Sequence, residues 1–137
     1  MRNELLAIED AELHLSILRK IAAQAGFTTT SANSLEAAAH LLEQREFGVI
    51  TLDLSLGEQS GIEVLKLLAR MKCDTPVLVI SASDVDALKD IVRIGNGFNL
   101  KLYPPIPKPI NLAVLRQALL QIADDAARHG LATASEA

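Results

Sequence analysis

Four short apolar runs of this chain lead straight into polar side chains suited to phosphorus and metal chemistry. Glu9 and Asp10 follow the run at 4–8, Asp53 lies at the end of 48–54, Ser81 closes 76–81, and Lys108 comes just after 100–106. If those runs are neighbouring strands, the groups meet at one rim. Three carboxylates brought that close repel one another and raise each other's pKa unless a cation neutralises them. All-oxygen ligation with few protein ligands and several waters suits Mg²⁺ better than a metal that seeks Cys or His. A carboxylate beside bound Mg²⁺, with an ammonium and a hydroxyl nearby, is equipped to attack phosphorus and become an aspartyl phosphate. Lys108 then acts as a point charge on one phosphate oxygen, and the Ser81 hydroxyl donates to another.

The elements that must position these groups are legible in the apolar pattern, which switches between short continuous runs and stretches of 3.6-residue period. Strands are expected at 4–8, 27–30, 48–54, 76–81 and 100–106. Most are apolar without alternation, as strands covered on both faces must be. The first helix carries Leu13, Ile17, Leu18 and Ile21 and ends at Gly26, which suits a left-handed cap. Asp10 is a candidate cap at its start. The second helix follows Ser34. Ser60 with Glu63, and Ser83 with Asp86, have capping-box spacing for the third and fourth, and the fourth stops near Gly95, Asn96 and Gly97. The last runs from Asn111 to about Arg128, with Gly130 closing it. Five βα units in this length predict an α/β fold: a doubly wound five-stranded parallel sheet in the flavodoxin-like order 2-1-3-4-5, helices on both faces. That order opens a crevice at the carboxyl ends of strands 1 and 3. It also makes strand 5 an edge, where Pro104, Pro105 and Pro107 can be tolerated.

Composition bounds the function. The 137 residues predict one domain, with 1–130 folded and 131–137 a flexible tail or the start of a linker. Half of the residues are hydrophobic, which rules out disorder for the bulk of the chain. Thirteen basic against seventeen acidic residues is the wrong balance for a face that grips nucleic-acid phosphates, so no direct nucleic-acid contact is expected. A single cysteine, Cys73, precludes an internal disulfide and fits a reducing cytoplasm. Early acids interrupt any signal-peptide pattern, and no apolar run approaches a membrane span.

Glu9 and Asp10, the segment Ile50, Thr51, Leu52, Asp53, Leu54, Ser55, Leu56 and Gly57 followed by Ser60 and Gly61, the run Val77 to Ala82, and Lys108 with Pro109 together resemble the response-regulator receiver domain of two-component signalling. The resemblance spans about residues 4 to 128. It implies Asp53 as phosphoacceptor, with a histidine kinase or phosphotransfer protein as donor and an effector domain or protein downstream. Asp10, Asp53 and the Ser55 backbone carbonyl are implied as Mg²⁺ ligands, with Glu9 acting largely through water. Ser81 is implied as the switch hydroxyl, Lys108 as the phosphate contact, and the Lys108–Pro109 bond as cis. Receivers usually carry an aromatic residue three positions before the lysine; here Pro105 occupies that position and Tyr103 lies two residues further back. The stretch 95–109 is also similar to receivers attached to cyclic-di-GMP phosphodiesterase domains.

Other readings of the same residues stay open. A pseudo-receiver that binds partners without carrying phosphate is one, and a homodimer is compatible with either. A hydrolase working through an aspartyl phosphate would need an acid where Ser55 stands. Ser83 rivals Ser81 as the hydroxyl. His14, His40 and His129 show no metal spacing with one another or with Cys73, and read as surface or partly packed histidines.

Overall fold

The computed structural model describes residues 3–9, 11–53, 58–81 and 85–136, without the side chains of 58–60, 85–88 and 129–136. Strand and helix alternate throughout: β1 (Glu4–Ile8), α1 (Glu12–Gln24), β2 (Thr28–Ala32), α2 (Leu35–Gln44), β3 (Val49–Asp53), α3 (Glu58–Arg70), β4 (Val77–Ser81), α4 (Val85–Gly97), β5 (Ile106–Pro107) and α5 (Leu112–Glu136). All pairings are parallel and the order is β2-β1-β3-β4-β5, the order expected. Successive strand residues face opposite sides. Leu5 and Ala7, with Leu78 and Ile80, pack under α1 and α5; Leu6 and Ile8, with Ile50, Leu52 and Val79, pack on the other side among residues of α2, α3 and α4. This two-sided burial is why β1, β3 and β4 read as nearly unbroken apolar runs.

Helix ends follow local chemistry. The Ser34 side chain caps α2 by accepting from the Ala37 N–H at 3.1 Å, and Asn111 Oδ1 accepts from Ala113 and Val114 at the start of α5. Three helices end in the same way, with a left-handed residue and a pair of back-turned N–H groups. After α1 the residue is Gly26, with Phe27 N donating to Ala22 O; after α3 it is Lys72, with Cys73 N donating to Leu68 O; after α4 it is Asn99, with Leu100 N donating to Gly95 O. Gly26 and the 95–97 stop were anticipated, whereas Lys72 carries no sequence signal for a positive φ.

Several expectations need correction. The run 100–106 is not a continuous strand. Leu102 makes a single bridge to Val77, and the ladder resumes only at Ile106 opposite Ile80. Three residues separate 102 from 106, against two between 77 and 80, so one extra residue bulges where Pro104 and Pro105 have no N–H to donate. Leu13 is 72% exposed, and the buried stripe of α1 is Leu15, Leu18, Ile21 and Ala22. At 100° per residue Leu13 lies about 140° round the helix from Leu18, which turns it outward. The N-cap of α1 is Ala11 rather than Asp10, which lies outside the described residues, as does Ser83. Ser60 lies inside α3, which starts at Glu58, so it is not a cap. Helix α5 continues through Gly130 to Glu136. A lone glycine costs a helix only about 1 kcal/mol, and the alanines and leucine beyond it favour continuation.

Candidate functional site at the carboxyl rim of the sheet

The parallel sheet ends in a row of polar groups because β1, β3, β4 and β5 each lead from apolar to polar residues at the same rim. Glu9 directly follows β1, and its N–H donates to the Ala32 carbonyl at 3.0 Å, so it still belongs to the ladder. Asp53 is the last residue of β3 and pairs with Ile80; Ser81 is the last of β4 and pairs with Pro107. Lys108 follows β5 with its N–H donating to the Ser81 carbonyl at 3.0 Å, and its bond to Pro109 is cis. Main-chain hydrogen bonds thus fix the base of every one of these side chains.

All three polar side chains at the ends of β1, β3 and β4 are buried: Glu9 is 1% exposed, Asp53 2% and Ser81 1%. The Lys108 ammonium spans the Asp53 carboxylate, 2.9 Å from Oδ1 and 2.7 Å from Oδ2. Glu9 Oε1 accepts from the Ala11 N–H at 2.9 Å, and Oε2 lies 3.3 Å from His14 Nδ1. Burial, followed by the hydrogen bond to Asp53, pushes the Glu9 carboxyl from 4.5 up to about 7, against the opposing pull of the Ala11 N–H and His14. Among the described residues, two buried acids thus face the single Lys108 ammonium at this rim.

Glu9, Asp53, Ser81 and Lys108 come together at this rim as their positions in the sequence indicated. Asp10 and Ser55 lie outside the described residues. His14 was read as a surface or partly packed histidine, and the structure places it in the site. Its Nδ1 is 3.3 Å from Glu9 Oε2, 3.3 Å from Asp53 Oδ2 and 3.3 Å from Lys108 Nζ. The rotation of α1 that turns Leu13 outward brings His14, about 40° from Leu18 on the helix, over the rim. A signal existed in its spacing to acids rather than to other histidines, for it lies five residues after Glu9 and in the first turn of the following helix.

Strand alternation would set Tyr103 and Ile106 on opposite faces. The bulge brings both to the α1 and α5 side, where the Tyr103 hydroxyl donates to Asp125 Oδ2 on α5 at 2.5 Å. Tyr103 is thereby tied to a helix rather than aimed at the rim.

A doubly wound sheet with buried acids and a lysine meeting at its carboxyl rim defines a class. The sequence matches the response regulator receiver domain family over residues 5–120, and the chain belongs to that family. It is 30% identical over 120 residues to the alginate biosynthesis transcriptional regulatory protein AlgB of Pseudomonas putida, covering 85% of this chain and 26% of that protein. It is 27% identical over 121 residues to the alkaline phosphatase synthesis transcriptional regulatory protein PhoP of Bacillus subtilis, covering 86% of this chain and 50% of the relative. The chain thus spans between a quarter and a half of these relatives' lengths. The signal receiver domain of a LuxO repressor protein from Vibrio parahaemolyticus superposes with a TM-score of 0.80 at 21% identity, covering 96% of this chain and 98% of that one. Among the described residues, no helix is long and apolar enough to cross a membrane.

Proposed function

We propose that this receiver accepts a phosphoryl group on Asp53 from the phosphohistidine of a sensor kinase or phosphotransfer protein, in the cytoplasm, and relays it as a conformational change to an effector domain or protein. Its output is binding rather than turnover. The module comprises residues 1–130, and 131–137, into which α5 continues, serve as a tail or the start of a linker. The observation that carries this reading is the Lys108 ammonium spanning both oxygens of a buried Asp53 beside a second buried acid.

The donor set fits a divalent cation. Two buried acids converge, and burial together with the hydrogen bond to Asp53 holds a proton on Glu9 up to about pH 7. Glu9 and Asp53, joined by Asp10 and the Ser55 carbonyl, would hold Mg²⁺, which supplies charge to bring the phosphoryl oxygens against the attacking carboxylate. An Asp53 carboxylate oxygen forms the new bond to phosphorus. The phosphorus–nitrogen bond of the donor breaks, and its electron pair stays on the imidazole nitrogen, which takes up a proton. Lys108 exchanges its contact with the bare carboxylate for one with a phosphoryl oxygen. Ser81, one residue beyond the pairing partner of Asp53, donates its hydroxyl to another.

Incubation of the wild type and Asp53→Asn with Mg²⁺ and a small phosphodonor, followed by intact mass measurement, tests the assignment. The wild type gains one phosphoryl group and the variant none; equal uptake by both overturns it. Pro105 at the usual aromatic position favours a second reading, a module that binds partners without phosphate. Absence of both Mg²⁺ binding and phosphate uptake in the wild type would select it.

A further inference from the structure

Among the described residues, His14 is the one group at the rim that the receiver chemistry proposed above does not use. Its Nδ1 has carboxylate oxygens of Glu9 and Asp53 and the Lys108 ammonium each at 3.3 Å. A ring nitrogen offers either one N–H or one lone pair. As a donor, Nδ1 satisfies an acid but turns its hydrogen toward the neighbourhood of the ammonium. As an acceptor, it takes a hydrogen bond from the Lys108 ammonium but sets its lone pair against two carboxylates. Neither tautomer suits all three neighbours, whereas a cation shared by the lone pair and both carboxylates suits the nitrogen and the acids together. The spacing agrees, because ligands at bonds of about 2.1 Å and adjacent positions around one ion lie about 3.0 to 3.4 Å apart. Ligand atoms of Glu9, His14 and Asp53 all fall within 4.8 Å of one another.

We propose that His14 is a nitrogen ligand of the rim cation, so that this receiver takes a first-row transition divalent ion, from Mn²⁺ upward in the Irving–Williams order, in preference to Mg²⁺. The inference rests on the reading of the rim as a cation pocket. Mg²⁺ is hard and keeps to oxygen, so it gains nothing from the imidazole; Mn²⁺, which also favours oxygen, accepts a nitrogen ligand for a modest gain, and its heavier neighbours gain more. Lys108 keeps its place on Asp53. The third donor comes from α1, so the ion also ties the start of that helix to the ends of β1 and β3.

The test uses the full chain with Mn²⁺ and Mg²⁺ as separate probes. Pulsed electron paramagnetic resonance of bound Mn²⁺ shows modulation from one imidazole nitrogen in the wild type. That modulation is absent in His14→Gln, which still binds the ion. Titration calorimetry shows His14→Gln and His14→Ala binding Mn²⁺ about tenfold more weakly while Mg²⁺ affinity is unchanged. Asp53→Asn weakens binding of both ions, which locates the signal at this pocket rather than at His40 or His129. Wild-type Mn²⁺ bound without nitrogen modulation, or equal Mn²⁺ affinity in wild type and both His14 variants, overturns the role of His14 and leaves the cation pocket standing. Failure of the wild type to bind either ion overturns the pocket itself and this inference with it.

Discussion

The rim formed by β1, β3 and β4 and the edge formed by β5 with its approach are held by different kinds of force. At the rim, ladder hydrogen bonds run to the last residue before each functional side chain, and every strand residue of β3 and β4 is buried. At the edge, Pro104 and Pro105 interrupt the ladder after the single bridge at Leu102. Beyond the main-chain bonds of Lys101 and Tyr103 to Val77, side chains hold that segment. The Tyr103 hydroxyl bonds Asp125, and Leu102 presses so closely on Gly95 that a Cβ there would collide with its Cδ1. A main-chain ladder allows few alternatives, because shifting it by one residue reverses every face. Side-chain contacts can be exchanged one at a time. The difference suits a receiver, whose acceptor must be fixed and whose signal must leave through something that can move.

Four perturbations break or sharpen this contrast, beginning with the largest effect. Lys108→Ala leaves the buried Asp53 without its ammonium and should cost the metal-free protein about 3 kcal/mol in urea unfolding, with part of the loss recovered on adding Mg²⁺. An unchanged midpoint without metal would mean that Lys108 contributes nothing to holding the rim. Second, the Glu9 carboxyl binds its proton more tightly in the folded protein (about 7) than in the unfolded chain (4.5). The folded state therefore holds more protons between those values. The stabilisation this gives is complete below pH 4.5 and is lost as pH rises through about 7. Allowing for solvent screening at the rim, the metal-free protein should lose on the order of 2 kcal/mol over that interval. Glu9→Gln should flatten this part of the profile.

The third and fourth address the edge. Gly95→Ala gains helix propensity but drives a methyl into Leu102, and overpacking of this kind costs about 1–3 kcal/mol. A net loss of about 1 kcal/mol is expected in thermal unfolding, while phosphate uptake at Asp53 persists. The smallest effect concerns the chain's one tyrosine. Burial, then the bond to Asp125, raises the Tyr103 phenol from 10.0 to about 12. In Asp125→Asn the phenolate absorbance should titrate between those two values, because burial remains. An unshifted midpoint would show that the link between the edge and α5 is not closed in solution.

The same contrast explains what the sequence disclosed. Strands β1, β3 and β4 are apolar on both faces and end in Glu9, Asp53 and Ser81, so period and terminal polarity located the rim to within a residue. At β5 the prolines announced an edge, but whether the ladder bends, bulges or stops depends on the register against β4, which no local pattern encodes. The direction of Tyr103 followed from that unseen bulge. His14 was missed for a related reason. Its role depends on the rotation of α1 about its axis, and that rotation is set by which of Leu13, Leu15 and Leu18 find room on the sheet.

The most direct test of the account is a crystal structure of the chain with Mg²⁺ and beryllofluoride, an analogue of an acyl phosphate. The analogue should sit on an Asp53 carboxylate oxygen, with the Lys108 ammonium moved onto one fluoride, the Ser81 hydroxyl on another, and the ion between Asp53 and Glu9. Lys108 still spanning a bare Asp53 carboxylate, with ion and analogue bound elsewhere, would contradict it.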